Sequence, residues 1–256
     1  VWRDDNGNNK AGLVVIQEQQ IFAAREVQKG EARPGGYVTT GGHGGLLGAV
    51  RHGMGPILTY LPGAKHTYLS DVNRTRLPDA VQGVTRDGHG LKSVDIAIKD
   101  KAGALVETAI PRVTIVKDGN YSADHWDSGE EREVDILTQI DDHLSHSPLA
   151  GFVVEGQSPY GSMTNSVRNA LMVRAVYSGF PVVRVGRGNN DGFTARAGCF
   201  MGGNNLTSTK ARLLLIACIM KFGAMPHAGD PENPTEAEAA AVMERVGEYQ
   251  AVFDTH

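Results

Sequence analysis

The sequence predicts an α/β fold, and two patterns support this prediction. Leu13–Ile16 is a short apolar run, rich in β-branched residues, which is typical of a strand buried on both faces of a parallel sheet. From Pro111 onward such runs alternate with segments of helical periodicity, which favours parallel strands joined by helices. We therefore expect a small parallel α/β domain in the second half of the chain.

The predicted strands and helices of the second half follow one another in a regular order. Each predicted strand is a β-branched run beside a proline or a glycine, and each predicted helix has apolar residues three and four positions apart. The predicted strands are Pro111–Val116, Gly151–Gly156 and Pro181–Arg187, and the predicted helices are Val134–His143, Ser166–Ser178, one opening at Thr209, and Ala237–Phe253. Thr235 followed by Glu238 predicts a capping box before the last helix.

The middle of the chain has fewer signals. Ile57–Tyr60 predicts a short strand, and the polar, turn-rich stretch Ser70–Gly103 predicts a linker. Val94–Ile98, at the end of this linker, and Ala104–Glu107, just after it, flank a polar turn, and this pattern predicts a hairpin.

Composition limits the classes of function. Hydrophobic content of 41% and charged content of 21% are ordinary for a soluble globular protein. They do not decide between the cytoplasm and the periplasm. A net charge of -4 provides no basic surface for nucleic acid, and no apolar run approaches the roughly 20 residues of a transmembrane helix. Cys199 and Cys218 are too few for a disulfide framework and have apolar neighbours, so we expect buried thiols. Nucleic acid and membrane are therefore not expected partners.

The segment after the first apolar run is the main candidate for chemistry. The chain turns polar at Gln17–Gln20, and ligand sites of open α/β sheets lie just beyond the carboxyl ends of the strands. The next segment ends in Lys29, and a lysine held at such an edge is readily desolvated and can act as a base. The alternative is a surface lysine on a solvated loop.

Four segments resemble the bacterial asparaginase/glutaminase family, in the order that the family has them. The run Gly12–Lys29 is similar to the segment that ends in the family's catalytic lysine, with Arg25-Glu26-Val27-Gln28-Lys29 on its R-[DE]-V-x-K pattern. The others are Lys65-His66-Thr67, the helix and strand around Gly179, and Lys210-Ala211-Arg212 followed by leucines. We interpret Lys65 and His66 as a hydrogen-bonded linker turn, and we expect Lys210 and Arg212 on the exposed side of their helix.

The resemblance implies a two-domain protein. Residues 1–62 correspond to the C-terminal part of a larger parallel-sheet domain, residues 63–110 to a linker with a hairpin, and residues 111–256 to a smaller parallel α/β domain. It covers the C-terminal half to two-thirds of the family fold, whose N-terminal region carries a nucleophilic threonine. We therefore expect a companion N-terminal segment or chain. Family members form homotetramers in which the small domain completes a neighbour's site, which implies a homo- or hetero-oligomer here.

The implied reaction is hydrolysis of a small amide with release of ammonia. A threonine hydroxyl is a weak nucleophile and needs activation, and the resemblance assigns that role to Lys29. In the turn after Val153, Ser162 falls on an asparagine position of the family's G-x-G-N-G-N pattern and would bind substrate. We do not assign the nucleophile to Thr40, because its Thr-Gly-Gly triplet follows a glycine loop rather than a strand. No cofactor is implied.

The sequence also allows other interpretations. The chain is alternatively a catalytically inactive homologue or a regulatory subunit of such an assembly. A nucleotide site at Val185–Gly192 is disfavoured, because its glycines do not follow phosphate-loop spacing. Asp124, His125 and Asp127 match no strong metal motif, so a solvated acidic loop is favoured and no metal is predicted. His43 is interpreted as a loop histidine for the same reason.

Overall fold

The protein is seen in a computed structural model that describes residues 9–40, 45–67, 69–70, 72, 76–88, 90–118, 134–188 and 193–256. Within these residues the fold is α/β, with a four-stranded parallel sheet and four helices, so the predicted fold class is confirmed. His43 lies outside the described residues, as do Asp124, His125 and Asp127 of the predicted acidic loop.

The N-terminal part forms two small antiparallel sheets. Their strands are β1 (Val14–Gln17), β2 (Gln20–Ala23), β3 (Val27–Lys29), β4 (Tyr37–Thr39), β5 (Leu46–Val50) and β6 (Pro56–Leu58). The larger sheet has the order β1-β2-β5-β6, and β3 pairs with β4. A few fully buried side chains form the core of the larger sheet: Ile21, Ala23 and Leu47.

The prediction that Leu13–Ile16 is a parallel strand buried on both faces is wrong. β1 pairs antiparallel with β2 and lies at an edge of its sheet. Leu13 is 77% exposed and Ile16 is 49% exposed. A two-residue turn at Glu18 and Gln19, both with positive φ, returns the chain directly onto β1. The polar stretch is therefore a hairpin turn rather than the carboxyl end of a parallel strand.

The middle of the chain forms a long hairpin of β7 (Ala80–Asp87) and β8 (Gly90–Ala97). The predicted hairpin is confirmed only next to its turn, where Lys99 and Leu105 form an antiparallel bridge and the Val106 N–H donates to the Ile98 carbonyl oxygen at 3.0 Å. Residues 94–97 pair with β7 rather than with Ala104–Glu107. Gly83 lets β7 approach the parallel domain, because a Cβ there would lie 2.6 Å from the carbonyl oxygen of Pro148.

The parallel sheet is built from β9 (Arg112–Lys117), β10 (Ala150–Gly156), β11 (Val182–Gly186) and the short β12 (Met201–Gly202), in the order β12-β11-β10-β9. The helices are α1 (Val134–His146), α2 (Ser166–Tyr177), α3 (Ser208–Phe222) and α4 (Glu236–Thr255). The predicted strands and helices of this half are confirmed, with ends shifted by a few residues.

The main hydrophobic core lies between the parallel sheet and its helices. In β10, Phe152, Val153 and Val154 are fully buried, which explains why this strand is apolar without alternation. The capping box at Thr235 and Glu238 is confirmed. Both cysteines are buried free thiols, as expected, and burial raises the pKa of the Cys218 thiol.

No helix in the described part of the chain is both long enough and apolar enough to span a bilayer.

Candidate functional site

Lys29 ends β3, on the hairpin that β3 forms with β4. Its side chain is exposed, and its Nζ donates hydrogen bonds to the carbonyl oxygens of Arg33 and, at 2.6 Å, of Gly35. The ammonium group also lies 5.2 Å from the centroid of the Tyr37 ring. The predicted position of Lys29 at the carboxyl edge of a parallel sheet is therefore wrong, because β3 pairs only antiparallel with β4. Its catalytic role stays a prediction.

The turn before β3 is held from the other half of the chain. We call residues 24–27 the 24–27 turn. The Nζ of Lys210, in the first turn of α3, donates hydrogen bonds to three carbonyl oxygens of the 24–27 turn: those of Ala24 at 2.9 Å, Arg25 at 2.8 Å, and Val27. The expectation that Lys210 lies on the exposed side of its helix is wrong, although Arg212 is exposed as expected.

Lys210 has an unusual electrostatic environment. Burial, together with the positive charge of Arg25, lowers its pKa to about 8, and Glu26 acts in the opposite direction. The three carbonyl oxygens also favour the charged form, because an ammonium group has three donors and each is used. The three carbonyl acceptors thus stabilise the positive charge of Lys210 at a half-buried position.

Two further contacts fix the same turn. The side-chain amide of Asn205, which is buried, donates to the Glu26 carboxylate at 2.9 Å. The backbone N–H and the hydroxyl of Thr40 donate to the Glu26 carbonyl oxygen, at 2.6 and 3.2 Å. Thr40 is only 1% exposed, so its hydroxyl is occupied inside the protein.

The C-terminal helix contributes contacts to Arg25. The Arg25 guanidinium donates hydrogen bonds to the carbonyl oxygens of Phe253, at 3.2 Å, and of His256. Burial lowers the pKa of Arg25, and the neighbouring carboxylates of Glu26 and Asp254 oppose that change. The side chains and carbonyls of the 24–27 turn are thus tied to α3, to the loop before it, and to the end of α4.

A cavity of about 470 Å³ adjoins the 24–27 turn. Its walls are largely apolar and include Leu13, Leu213 and Leu214, and Lys65 and His66 also line it. Leu13 and Leu213 are 77% and 68% exposed, so the cavity has apolar walls that face solvent.

The predicted linker turn forms part of this wall. The backbone N–H of Lys65 donates to the Thr255 carbonyl oxygen at 3.0 Å, and the rings of His66 and His256 lie 5.7 Å apart. These contacts fit the interpretation of Lys65 and His66 as a hydrogen-bonded turn between the two halves.

A second polar cluster lies at the carboxyl edge of the parallel sheet. Asp118, just after β9, is 1% exposed and accepts hydrogen bonds from the backbone and hydroxyl of Thr164, at 2.8 and 3.1 Å. It also pairs with Arg168 at 3.3 Å. At the next strand, Glu155 accepts a 2.7 Å bond from the Ser208 hydroxyl, in the same turn of α3 as Lys210. This edge is where ligands of open α/β sheets bind.

Ser162 lies on the loop that follows β10 at this edge. It is exposed, and its carbonyl oxygen accepts a 2.9 Å bond from the Gln157 backbone, which closes the loop. The role of the Ser162 hydroxyl in substrate binding stays a prediction. The 189–192 part of the disfavoured nucleotide segment lies outside the described residues.

Sequence reasoning missed several residues of this region, namely Lys210, Asn205, Asp118 and Glu155. The available signal for Lys210 was its place in a segment that resembles the family. For Asp118 and Glu155 the signal was an acidic residue at the end of a buried strand. In the described ranges, no three His, Cys, Asp or Glu side chains come close enough together to bind a metal ion.

Comparison with solved structures identifies the architecture. The chain is similar to a probable cytoplasmic L-asparaginase from Campylobacter jejuni, with a TM-score of 0.59 and 16% identity over 99% of this chain and 61% of that chain. The fold is asparaginase-like. The thermostable L-asparaginase from Thermococcus kodakarensis matches 97% of this chain and 56% of that chain, with a TM-score of 0.40 and 12% identity. The chain thus spans less than two thirds of either protein. No protein-family model and no curated protein matches the sequence.

Proposed function

We propose that this chain is part of an asparaginase-type amidohydrolase that hydrolyses a small amide and releases ammonia. A threonine hydroxyl, supplied by a segment outside these 256 residues, attacks the amide carbon. The C–N bond breaks, the nitrogen leaves as ammonia, and water then hydrolyses the resulting ester to a carboxylate. Lys29 activates the threonine hydroxyl by accepting its proton, and this proton then passes to the departing nitrogen.

One observation carries this proposal. The segments at Arg25–Lys29 and Lys210–Arg212 resemble the family independently, and Lys210 lies 185 residues after Arg25 in the chain. In the folded protein the Lys210 ammonium bonds directly to the turn that leads to Lys29. The likeness of the whole chain to an asparaginase fold supports the same proposal.

The surface of the N-terminal sheets supports a companion segment. Eight large apolar side chains in residues 13–61 are exposed, and the larger sheet has only a small core: the exposed residues are Leu13, Ile16, Val38, Leu46, Met54, Ile57, Tyr60 and Leu61. Contiguous exposed apolar surface is typical of interaction sites, and these exposed side chains are the observation that supports such a site here. We propose that the threonine-bearing segment packs on these sheets.

The same proposal gives Ser162 a role in substrate binding and makes the active protein an oligomer. The exposed hydroxyl of Ser162 at the carboxyl edge of the parallel sheet would bind the substrate of a neighbouring subunit. The active protein would accordingly be a homo- or hetero-oligomer with closed symmetry, which is the usual form of soluble assemblies.

The test compares the chain alone with the chain joined to, or mixed with, a threonine-bearing N-terminal segment. Ammonia release is measured from asparagine, glutamine and other small amides, after the mass of each polypeptide has been verified. We expect turnover only when the segment is present. Robust turnover by the 256-residue chain alone would refute the need for it and would direct attention to Thr39, since the Thr40 hydroxyl is occupied.

A catalytically inactive or regulatory subunit is the second candidate. The observation in its favour is the exposed ammonium of Lys29, which already donates to two backbone carbonyls of its own hairpin. These bonds direct the Lys29 amine toward its own hairpin, whereas a base must present its lone pair to the threonine hydroxyl. An assembly that binds the companion segment but hydrolyses none of the amides would support this candidate.

A further inference from the structure

The contacts of Lys210 are matched to the chemistry of an ammonium group. Three carbonyl oxygens of one tight turn converge on Nζ, and an ammonium has three N–H donors. Converging carbonyl dipoles repel one another unless a positive charge lies between them. A neutral amine has only two N–H donors, so loss of the proton would leave at least one carbonyl without its bond.

The same turn sets the start of the β3–β4 hairpin, which carries Lys29. The Val27 carbonyl oxygen, which bonds to Lys210, belongs to β3, and Lys29 is the last residue of that short strand. At the base of the hairpin, Thr40 bonds to Glu26 through both its backbone and its hydroxyl. A shift of the 24–27 turn would therefore move the base of the hairpin.

We infer that Lys210 is a positioning residue that fixes the 24–27 turn and thereby the hairpin that carries Lys29. This inference rests on the proposed function, in which Lys29 must lie within reach of a hydroxyl from another segment. Misplacement of a catalytic group by about 1 Å can cost roughly a hundredfold in rate, so an anchor outside the reacting atoms has a large effect.

Charged and titratable groups surround Lys210 from each neighbouring element. Arg25 and Glu26 lie on the 24–27 turn itself, Lys65 and His66 line the adjoining cavity from the linker turn, and His256 lines it from the C-terminus. Because the anchor works through the ammonium form, the hold on the turn should weaken as Lys210 loses its proton, near pH 8. Arginine keeps its charge throughout this range.

Two variants of Lys210 and one control test the inference. Lys210→Met keeps an apolar side chain of similar length without the ammonium group, and Lys210→Arg keeps the charge. Lys221→Met is the matched control, because Lys221 lies in the last turn of α3 and its Nζ also donates to a backbone carbonyl oxygen, that of Arg76, at 3.1 Å.

The first measurement is amide hydrogen exchange of the chain, with rates corrected for intrinsic pH dependence. The probes are the backbone N–H groups of Glu26 and Thr40. We expect Lys210→Met to lower their protection about tenfold or more, since a hydrogen bond to a charged group is typically worth about tenfold and three such bonds are lost. Lys221→Met should leave the protection unchanged. Between pH 7 and 9 the wild type should lose protection at these sites and Lys210→Arg should not.

Unchanged protection at Glu26 and Thr40 in Lys210→Met would overturn the inference. If that variant fails to fold, the pH comparison of wild type with Lys210→Arg decides, and equal loss of protection in both would overturn it.

The second measurement is turnover of the assembled protein with its threonine-bearing segment. We expect Lys210→Met to lower kcat about tenfold to a hundredfold with little change in KM, because substrate contacts are untouched. Loss of protection with retained kcat would overturn the positioning role. Retained turnover in Lys29→Met would instead overturn the proposed function, and the exchange result would still show whether Lys210 holds the turn.

Discussion

We expect His143, in α1, to make the stability of this protein sensitive to mild acid. The residue is 1% exposed, and its imidazole lies against two aromatic rings, with centroids 5.2 Å from Phe152 and 5.8 Å from Phe180. The Nε2 atom is 3.2 Å from the Thr114 hydroxyl. The Nδ1 atom is buried and has no hydrogen-bond partner among the described residues. This environment suits a neutral ring.

The charges nearby do not reverse this preference. Burial lowers the pKa of His143 and the Arg112 guanidinium lowers it further, while Asp142, 4.0 Å away, raises it only in part. The unfolded chain takes up a proton near pH 6.5, whereas the folded chain does so only at lower pH. The contribution of His143 to stability is therefore complete above pH 6.5 and declines as the pH falls below it.

His143→Leu removes this titration while it keeps an apolar side chain in the core. At pH 7.5 the variant should be about 1 kcal/mol less stable than the wild type, from loss of the Thr114 hydrogen bond. One proton bound only by the unfolded state lowers the free energy of unfolding of the wild type by up to about 1.4 kcal/mol between pH 7.5 and 5.5. The difference between the two proteins should therefore shrink, or change sign, at the lower pH.

The assay is urea denaturation of both proteins at half-unit steps from pH 5.5 to 7.5. His146→Gln is the control, because His146 lies one turn further along α1 and its side chain is 71% exposed. The free energy of unfolding of His146→Gln should follow the wild-type pH dependence much more closely than that of His143→Leu does. Parallel pH profiles for the wild type and His143→Leu would refute the reasoning.

Three further predictions concern single side chains. In the assembled enzyme, Lys29→Met should abolish ammonia release and leave the thermal melt nearly intact, because this side chain is exposed; unaltered turnover would contradict its assignment. Thr235→Ala removes the helix cap of α4 and should lower Tm by about 3 °C in calorimetry, and an unchanged Tm would contradict a stabilising cap. Asp118→Ala removes the buried carboxylate that pairs with Arg168 and accepts two hydrogen bonds from Thr164, and it should cost about 3 kcal/mol in urea denaturation. The control Asp141→Ala removes an exposed pair and should cost about 0.5 kcal/mol, so equal effects would contradict the argument.

The sequence was sufficient for the parallel half of the fold. Phe152, Val153 and Val154 are apolar without alternation because helices cover both faces of β10, and this pattern is visible without a structure. The capping box at Thr235 is likewise a local interaction within four residues. Local patterns of this kind predict elements wherever the partner of a residue is near in sequence.

The sequence was insufficient where a long-range partner or an unusual turn decides the structure. A short apolar run such as Leu13–Ile16 does not show whether its neighbour is parallel or antiparallel. The turn that decides this uses Glu18 and Gln19 with positive φ, rather than the Asn-Gly pair by which such turns are recognised. Lys210 was mispredicted for a related reason, since its carbonyl acceptors lie about 185 residues earlier in the chain.

The first turn of α3 also offers a way to find distant relatives of this chain. Ser208 bonds Glu155 at the end of β10, and Lys210, two residues later, bonds the 24–27 turn. Side chains two residues apart on a helix point about 200° apart, so one turn joins two separate parts of the protein. A deletion between Ser208 and Lys210 would rotate one of them by about 100° and break its bond. We expect homologues to keep this two-residue spacing even at identities as low as 16%, where overall alignment is weak.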